Sequence, residues 1–313
     1  MSKLDTFKNQ ESGNSLQRAR QLVLPSRKEM LARSPSAQSF WIKNRSLLAD
    51  AWKEWGQDTS NSVVSLDESV IDDRLRHSVS QAWVEPTTEQ AVRDLWEEVA
   101  PGVYQTQFFD PQRVASLREY LESAVDAGIP LRPPYGISLN RYGAMLDPRS
   151  EGFLGAPAFQ EFYDQLLDKY MRPVARLLFP EVMGYDTQTF GFSIKWQEGM
   201  DTSLRLHTDA SAVTMNINMN LPSEDFTGSE IDFYDPNTGK VKRVSFEAGT
   251  AMIHRGHVAH AALPITSGER SNIVLWLYGE GMQIPQHTNQ SPVIDAHKRW
   301  TAPVGKKDDI APF

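Results

Sequence analysis

The spacing of apolar positions changes character near the middle of this chain. Before Pro180 it is mostly helical. Phe40, Leu47, Leu48, Ala51 and Trp55 fall near one helical face in the run from Ser39 to Trp55, which Gly56 ends. A longer amphipathic helix is predicted from Phe159, Phe162, Tyr163, Leu166, Leu167, Tyr170, Val174 and Leu177, with a kink at Pro173. Between them, Thr87-Thr-Glu-Gln90 reads as a capping box opening a helix through Trp96 and Val99. Val103 to Phe109 reads as a strand, and Asp110-Pro111 as the N-cap and first residue of a helix reaching Gly128. The first 35 residues look weakly helical and peripheral, and 58–81 shows no clear period. The irregular stretch 130–155 is a candidate substrate-facing loop.

Beyond Pro180 the period shortens to that of strands punctuated by turns. Eight short strands are predicted: 190–196, 204–209, 213–221, 230–234, 241–246, 250–254, 258–262 and 271–278. Eight strands after a helical half predict an α+β fold, a double-stranded β-helix (jelly roll) buttressed by helices. The division expected is an N-terminal helical extension over 1–100, a jelly-roll domain over 101–280, and a tail over 281–313 that packs on the domain or frays.

Composition narrows the chemistry. The 313 residues include no cysteine, which removes disulfides, thiolate nucleophiles and iron–sulfur clusters, so any metal must be held by nitrogen and oxygen. A net charge of -8 argues against a nucleic-acid partner. No apolar run approaches a membrane span, and the polar start lacks the apolar core of a secretory signal. The expectation is a soluble, cytoplasmic protein that acts on a small molecule, with no membrane and no obligate protein partner.

The candidate chemistry lies between Leu204 and Tyr278. His207 and Asp209 are two apart, so on a strand both side chains leave the same face. Downstream, His260 and Arg270 flank a turn containing Pro264 and Gly268, which returns both to one end of a hairpin. Two imidazoles and a carboxylate suit a redox iron with open positions, and an arginine suits an anionic co-substrate. His254 and His257 compete with His260 for the second imidazole. The same alternation places Arg205 on the face of His207 and Asn272 on that of Arg270. Thr214, Asn216, Asn218 and Asn220 share one face, which lines a pocket if it looks inward and is solvated if it looks outward. Lys195, Arg141 and Tyr142 are further candidates for substrate contact.

His207-Thr-Asp209, His260 and Arg270 together resemble the Fe(II)/2-oxoglutarate-dependent dioxygenase superfamily, in the branch similar to prolyl-4-hydroxylases. Three further pieces carry the resemblance: Phe190 to Trp196 before the first ligand, Phe226-Thr-Gly-Ser-Glu-Ile-Asp-Phe, and Gly249-Thr-Ala-Met-Ile-His-Arg-Gly. The family's Gly-Gly turn appears here as Gly228-Ser229. The resemblance implies Fe(II) on His207, Asp209 and His260, the last chosen by its ten-residue offset to Arg270, and His254 turned toward its own strand's surroundings. It further implies 2-oxoglutarate held by Arg270 and O2 as oxidant; beside it, strand alternation makes Asn272 and Asn216 candidates to help hold the co-substrate, and Arg205, Arg141 and Tyr142 are the candidates for substrate contact. The activity implied is oxidation of an unactivated C–H bond in a small, amino-acid-like carboxylate, by hydroxylation or by cyclisation as in the algal kainoid synthases. A protein side-chain (prolyl-type) hydroxylase and a non-catalytic jelly-roll binding module are the alternatives.

Overall fold

The computed structural model describes residues 14–58, 66–134, 143–199, 203–279, 294–305 and 307–311. Helices α1 (Ser15–Arg20) and α2 (Arg27–Leu31) lead into α3 (Pro35–Gln57), where the Ser34 side chain caps and Pro35 opens the first turn. The start of the chain is docked rather than peripheral from Asn14 onward. Leu16 and Ala19 are buried, the Glu54 carboxylate accepts the Ser15 and Leu16 amides, and Arg20 Nε donates to the Ala127 carbonyl at 2.7 Å. The buried face of α3 includes Trp41 and Trp52 as well as Leu48, Ala51 and Trp55.

The stretch with no clear period contains α4 (Asp73–Val84). The Asp72 carboxylate caps it, and Leu75, Val79 and Ala82 form its buried stripe. The helix expected to run from Thr87 through Val99 stops after the single turn α5 (Gln90–Arg93). Glu97–Ala100 instead forms β1, paired antiparallel with β2 (Val103–Gln107) around Gly102 at φ 67°. The hairpin with β2, which the strand Thr250–Arg255 carries into the sheet, overrides the helical signal there. Asp110 caps a turn, its carboxylate accepting the Gln112 amide, and α6 begins later, at Val114–Asp126.

The long aromatic helix is interrupted rather than simply kinked. α7 (Pro157–Gln165) passes through a π turn at Leu166–Met171 into α8 (Arg172–Leu178). Pro173 has no N–H for the carbonyl four residues before it, that of Lys169. The Trp83 indole donates to that carbonyl at 2.9 Å. The acceptor orphaned by proline is thus satisfied by α4.

The second half is built of strands: β3 (Gln188–Gln197), β4 (Leu204–His207), β5 (Val213–Asn218), β6 (Thr227–Gly228), β7 (Ile231–Tyr234), β8 (Val241–Val244), β9 (Thr250–Arg255), β10 (His260–Ala262), β11 (Ile265–Ser267) and β12 (Glu269–Tyr278). They form a six-stranded sheet in the order β1-β2-β9-β5-β12-β3, a four-stranded sheet in the order β4-β10-β7-β8, and the pair β11-β6. The fold is therefore α+β, with every strand pairing antiparallel.

Strand alternation divides the core in two. Val213, Met215, Ile217, Ile273 and Leu275 pack with the helices on one face of the six-stranded sheet. From its other face Phe190, Phe192, Trp196, Met252 and Val274 meet Ile231 and Phe233 of the four-stranded sheet. The second core is the one that holds the candidate chemistry. A last short helix, α9 (Ala296–Arg299), returns to the helical layer, where Trp300 packs on Trp83. Among the described residues no helix is long and apolar enough to cross a membrane.

Trp83→Phe keeps an aromatic side chain but removes the indole N–H and its five-membered ring, so it should lower stability by about 1–3 kcal/mol in a urea titration. An unchanged midpoint would show that the Lys169 carbonyl does not depend on Trp83.

Candidate active site

Strand pairing brings the two histidines together. β4 and β10 are neighbours, and their register sets His207 opposite His260. The ring centroids lie 4.3 Å apart. Asp209 follows just beyond β4, and its amide donates to the Gly256 carbonyl at 2.8 Å, so the turn after β9 holds the carboxylate-bearing loop. That approach needs glycine, because a Cβ at Gly256 would collide with the Ser211 carbonyl. His207 Nε2 is 3.5 Å from Asp209 Oδ1, and His260 Nε2 is 4.0 Å from Oδ2. One ligand atom from each of the three residues lies within 4.8 Å of the others.

Hydrogen bonds behind the rings assign the nitrogens. His207 Nδ1 faces the Arg205 carbonyl at 2.7 Å, and His260 Nδ1 faces the Val258 carbonyl at 2.9 Å. A carbonyl only accepts, so each Nδ1 carries a proton, and each Nε2 is the ring atom left facing Asp209 and available to a metal ion. Thr214 Oγ1 donates to Asp209 Oδ2 at 2.6 Å and accepts from Ser211 Oγ at 2.8 Å. Burial alone would raise the Asp209 carboxyl; the bond to His207, the neighbouring His260 and His254, and Thr214 outweigh it and bring it to about 2. Burial, with His254 beside it, pushes His260 down to about 4. Burial also disfavours the charged form of His207, but Asp209 and the Arg205 carbonyl prevail and raise it. An anionic oxygen and two imidazole nitrogens at this spacing fit a divalent first-row metal ion.

A cavity of about 330 Å³ connects this cluster to Arg270. The arginine is fully buried on β12; Nη1 donates to the Ser229 carbonyl, and the guanidinium lies 5.6 Å from the Trp196 ring and 5.2 Å from the Phe246 ring. Burial lowers its pKa to about 9, against the pull of Glu230, so it stays cationic at neutral pH. Its Nε has no hydrogen-bond partner among the described residues. A buried cation with an unused donor beside a cavity has the chemistry to receive an anion.

The polar face of β5 looks inward. Thr214 and Asn216 line the cavity, whereas Asn218 and Asn220 bond to the Asn220 amide and the Glu269 carbonyl in turn. Asn272 is buried beside Arg270 and donates from Nδ2 to Asn216 Oδ1 at 2.6 Å. Arg205 departs from its expected place. Four residues of β4 span three of β10, because Leu204 pairs with Ala262 and His207 with His260. This bulge breaks the alternation: Leu204 and His207 both line the cavity, and Arg205 is exposed on the edge strand. Lys195 is paired with Glu269 at 2.6 Å and lines a separate cleft with Arg118 and Ser193. Arg141 and Tyr142 lie outside the described residues.

His254 also departs from expectation. It lines the cavity at 3% exposure, its ring 4.8 Å from that of His260, while His257 is exposed. The signal was present in the sequence: Ala251 and Ile253 are the apolar partners of an alternation whose other members, Met252 and His254, must then face the opposite side.

An OGFOD2-like domain model matches residues 57–184, a segment that ends before β3. A 2-oxoglutarate and iron-dependent oxygenase domain-containing protein 2 from Xenopus tropicalis is 32% identical over 181 residues, 56% of this chain and 48% of the relative. The multifunctional procollagen lysine hydroxylase and glycosyltransferase LH3 of Rattus norvegicus is 31% identical over 119 residues, 36% of this chain and 15% of its own length. A prolyl 4-hydroxylase structure from Phytophthora capsici aligns over 73% of this chain and 74% of its own with 15% identity and a TM-score of 0.48. The chain thus spans about half the length of the first of these relatives.

Arg270→Met replaces a desolvated, incompletely bonded cation by an apolar side chain of similar length. The ligand-free protein should gain about 1–3 kcal/mol in a urea titration. A loss of stability would make Arg270 a structural residue.

Proposed function

We propose that this chain, a member of the Fe(II)/2-oxoglutarate-dependent oxygenase superfamily, is an oxygenase in which His207, Asp209 and His260 hold Fe(II) and Arg270 holds 2-oxoglutarate. The observation that carries the reading is the shared cavity: three convergent ligand atoms at one end, a buried arginine with an unused donor at the other. The strand interleaving supports the double-stranded β-helix. β3, β5, β9 and β12 lie in one sheet, and β4, β7, β8 and β10 in the other, with the catalytic domain read as 101–280.

When bound together with O2, Fe(II) and 2-oxoglutarate supply the oxidising power to break an unactivated C–H bond, with release of succinate and CO2. This chain's residues position and shield that chemistry. The backbone carbonyls of Arg205 and Val258 keep Nε2 of each histidine turned to the metal, and Thr214 keeps Asp209 from rotating away. Arg270, held against Trp196 and Phe246, offers its guanidinium to the far carboxylate of 2-oxoglutarate, and Asn216 with Asn272 offers amide groups alongside. Phe192, Ile194, Val274 and Ala262 keep the cavity wall apolar and exclude water.

That wall also bears on the substrate. Among the described residues the aspartate and arginine of the lining are Asp209 and Arg270, both committed in this reading, so the part of the substrate that enters is apolar carbon. A small carboxylate-bearing metabolite suits this division, with its carboxylate left outside the apolar cavity. The second reading, a protein side-chain hydroxylase, is favoured by the likeness to a procollagen lysine hydroxylase.

Purified protein should convert 2-oxoglutarate to succinate in the presence of Fe(II), and His207→Ala or His260→Ala should abolish the conversion. Retained turnover in either variant removes the assignment. Arg270→Ala should raise the half-saturating 2-oxoglutarate concentration roughly 10–100-fold and leave Fe(II) affinity unchanged; an unaltered requirement places the carboxylate elsewhere. Succinate release measured over a panel of amino-acid derivatives and peptides decides between the two substrate readings, since stimulation by peptides alone would exclude the small metabolite.

A further inference from the structure

The two sheets contribute different things to the site. His207 and His260 stand on the four-stranded sheet and Asp209 just beyond it. Facing them from the six-stranded sheet is one cross-strand pair, Thr214 on β5 and His254 on β9, which are partners in register. Thr214 bonds to the Asp209 carboxylate. His254 meets the His260 ring edge to face, with planes at 63° and centroids 4.8 Å apart.

His254 is unusual as a wall. Its Nδ1 donates to the Arg255 carbonyl at 2.9 Å, which fixes the ring plane in a way no phenylalanine could copy. Phe233 closes the contact from the four-stranded sheet, 5.5 Å from His254 and 5.8 Å from His260. The His260 ring therefore has its proton tied to Val258 and its flank set by a ring that is itself tied to the backbone. A buried imidazole in an otherwise apolar row costs more to desolvate than a phenyl ring would. The tether is what the imidazole adds.

We propose that His254 is a positioning residue for the metal centre: its backbone-tethered ring holds the His260 imidazole in the ligating orientation. This rests on the metal-centre reading above, and it predicts that His254 acts on metal affinity and ligand field.

The test is a titration of the full chain with Co(II), followed by the visible absorption of the bound ion, alongside urea unfolding of the metal-free protein. His254→Ala should weaken Co(II) binding roughly 10–100-fold and shift the absorption band. His254→Phe, which restores the wall without the tether, should bind with intermediate affinity. If His254→Ala binds Co(II) as tightly as the unmodified protein with the same spectrum, the proposal is overturned, whatever its effect on metal-free stability. If His254→Ala does not fold, His254→Phe decides alone, since unmodified affinity and spectrum there would refute the role of the tether. Failure of the unmodified protein to bind Co(II) would instead overturn the metal-centre reading, and this proposal with it.

Discussion

The antiparallel pairing of β4 with β10 is the constraint on which the site depends, because it sets His207 directly opposite His260. Two imidazoles on adjacent strands have their rings 4.3 Å apart, and their Nε2 atoms can turn toward a common point. The bulge in β4 is part of the same arrangement. It places two residues, Arg205 and Leu206, against the single Ala261 and turns both Leu204 and His207 into the cavity. A regular ladder would have sent one of them outward.

The site also shows a division of labour between layers. Side chains of the four-stranded sheet and the loop beyond it present ligand atoms, while the six-stranded sheet supplies Thr214, Asn216, His254 and Arg270 around them. The six-stranded sheet is the better support for groups that must not move. Its other face is packed against the helices α3, α6, α7 and α8, so its inner residues are anchored from behind. The docked α1 and the π turn near Pro173 belong to that layer, and their backbone groups are satisfied by Glu54 and Trp83.

Opposite charges at the two ends of an apolar cavity give the site its polarity. Asp209 is kept anionic by hydrogen bonds and neighbouring imidazoles, despite burial. Arg270 is kept cationic with one backbone bond and two aromatic rings in place of a carboxylate partner. Holding a buried cation incompletely satisfied is costly in a folded chain. It is the expected state of a receptor whose remaining partners are a cation at one end and an anion at the other.

Much of this was legible in one dimension. The absence of cysteine restricts any metal to nitrogen and oxygen donors, whatever the fold. The change from helical to strand period near Pro180, the two-residue spacing of His207 and Asp209, and the alternation along β5 and β12 each follow from local geometry that neighbouring residues determine. What the tertiary structure decided lies where pairing between strands overrides local preference. Pairing with β2 turned Glu97–Ala100 from helix to strand, and the offset between β4 and β10 moved Arg205 to the outside. The turn after β9 and the packing of two sheets brought His254 against His260. Periodicity reports which face a residue shares with its neighbours along the chain. It says nothing about which other strand that face will meet, because strand register is set by pairings between segments far apart in sequence.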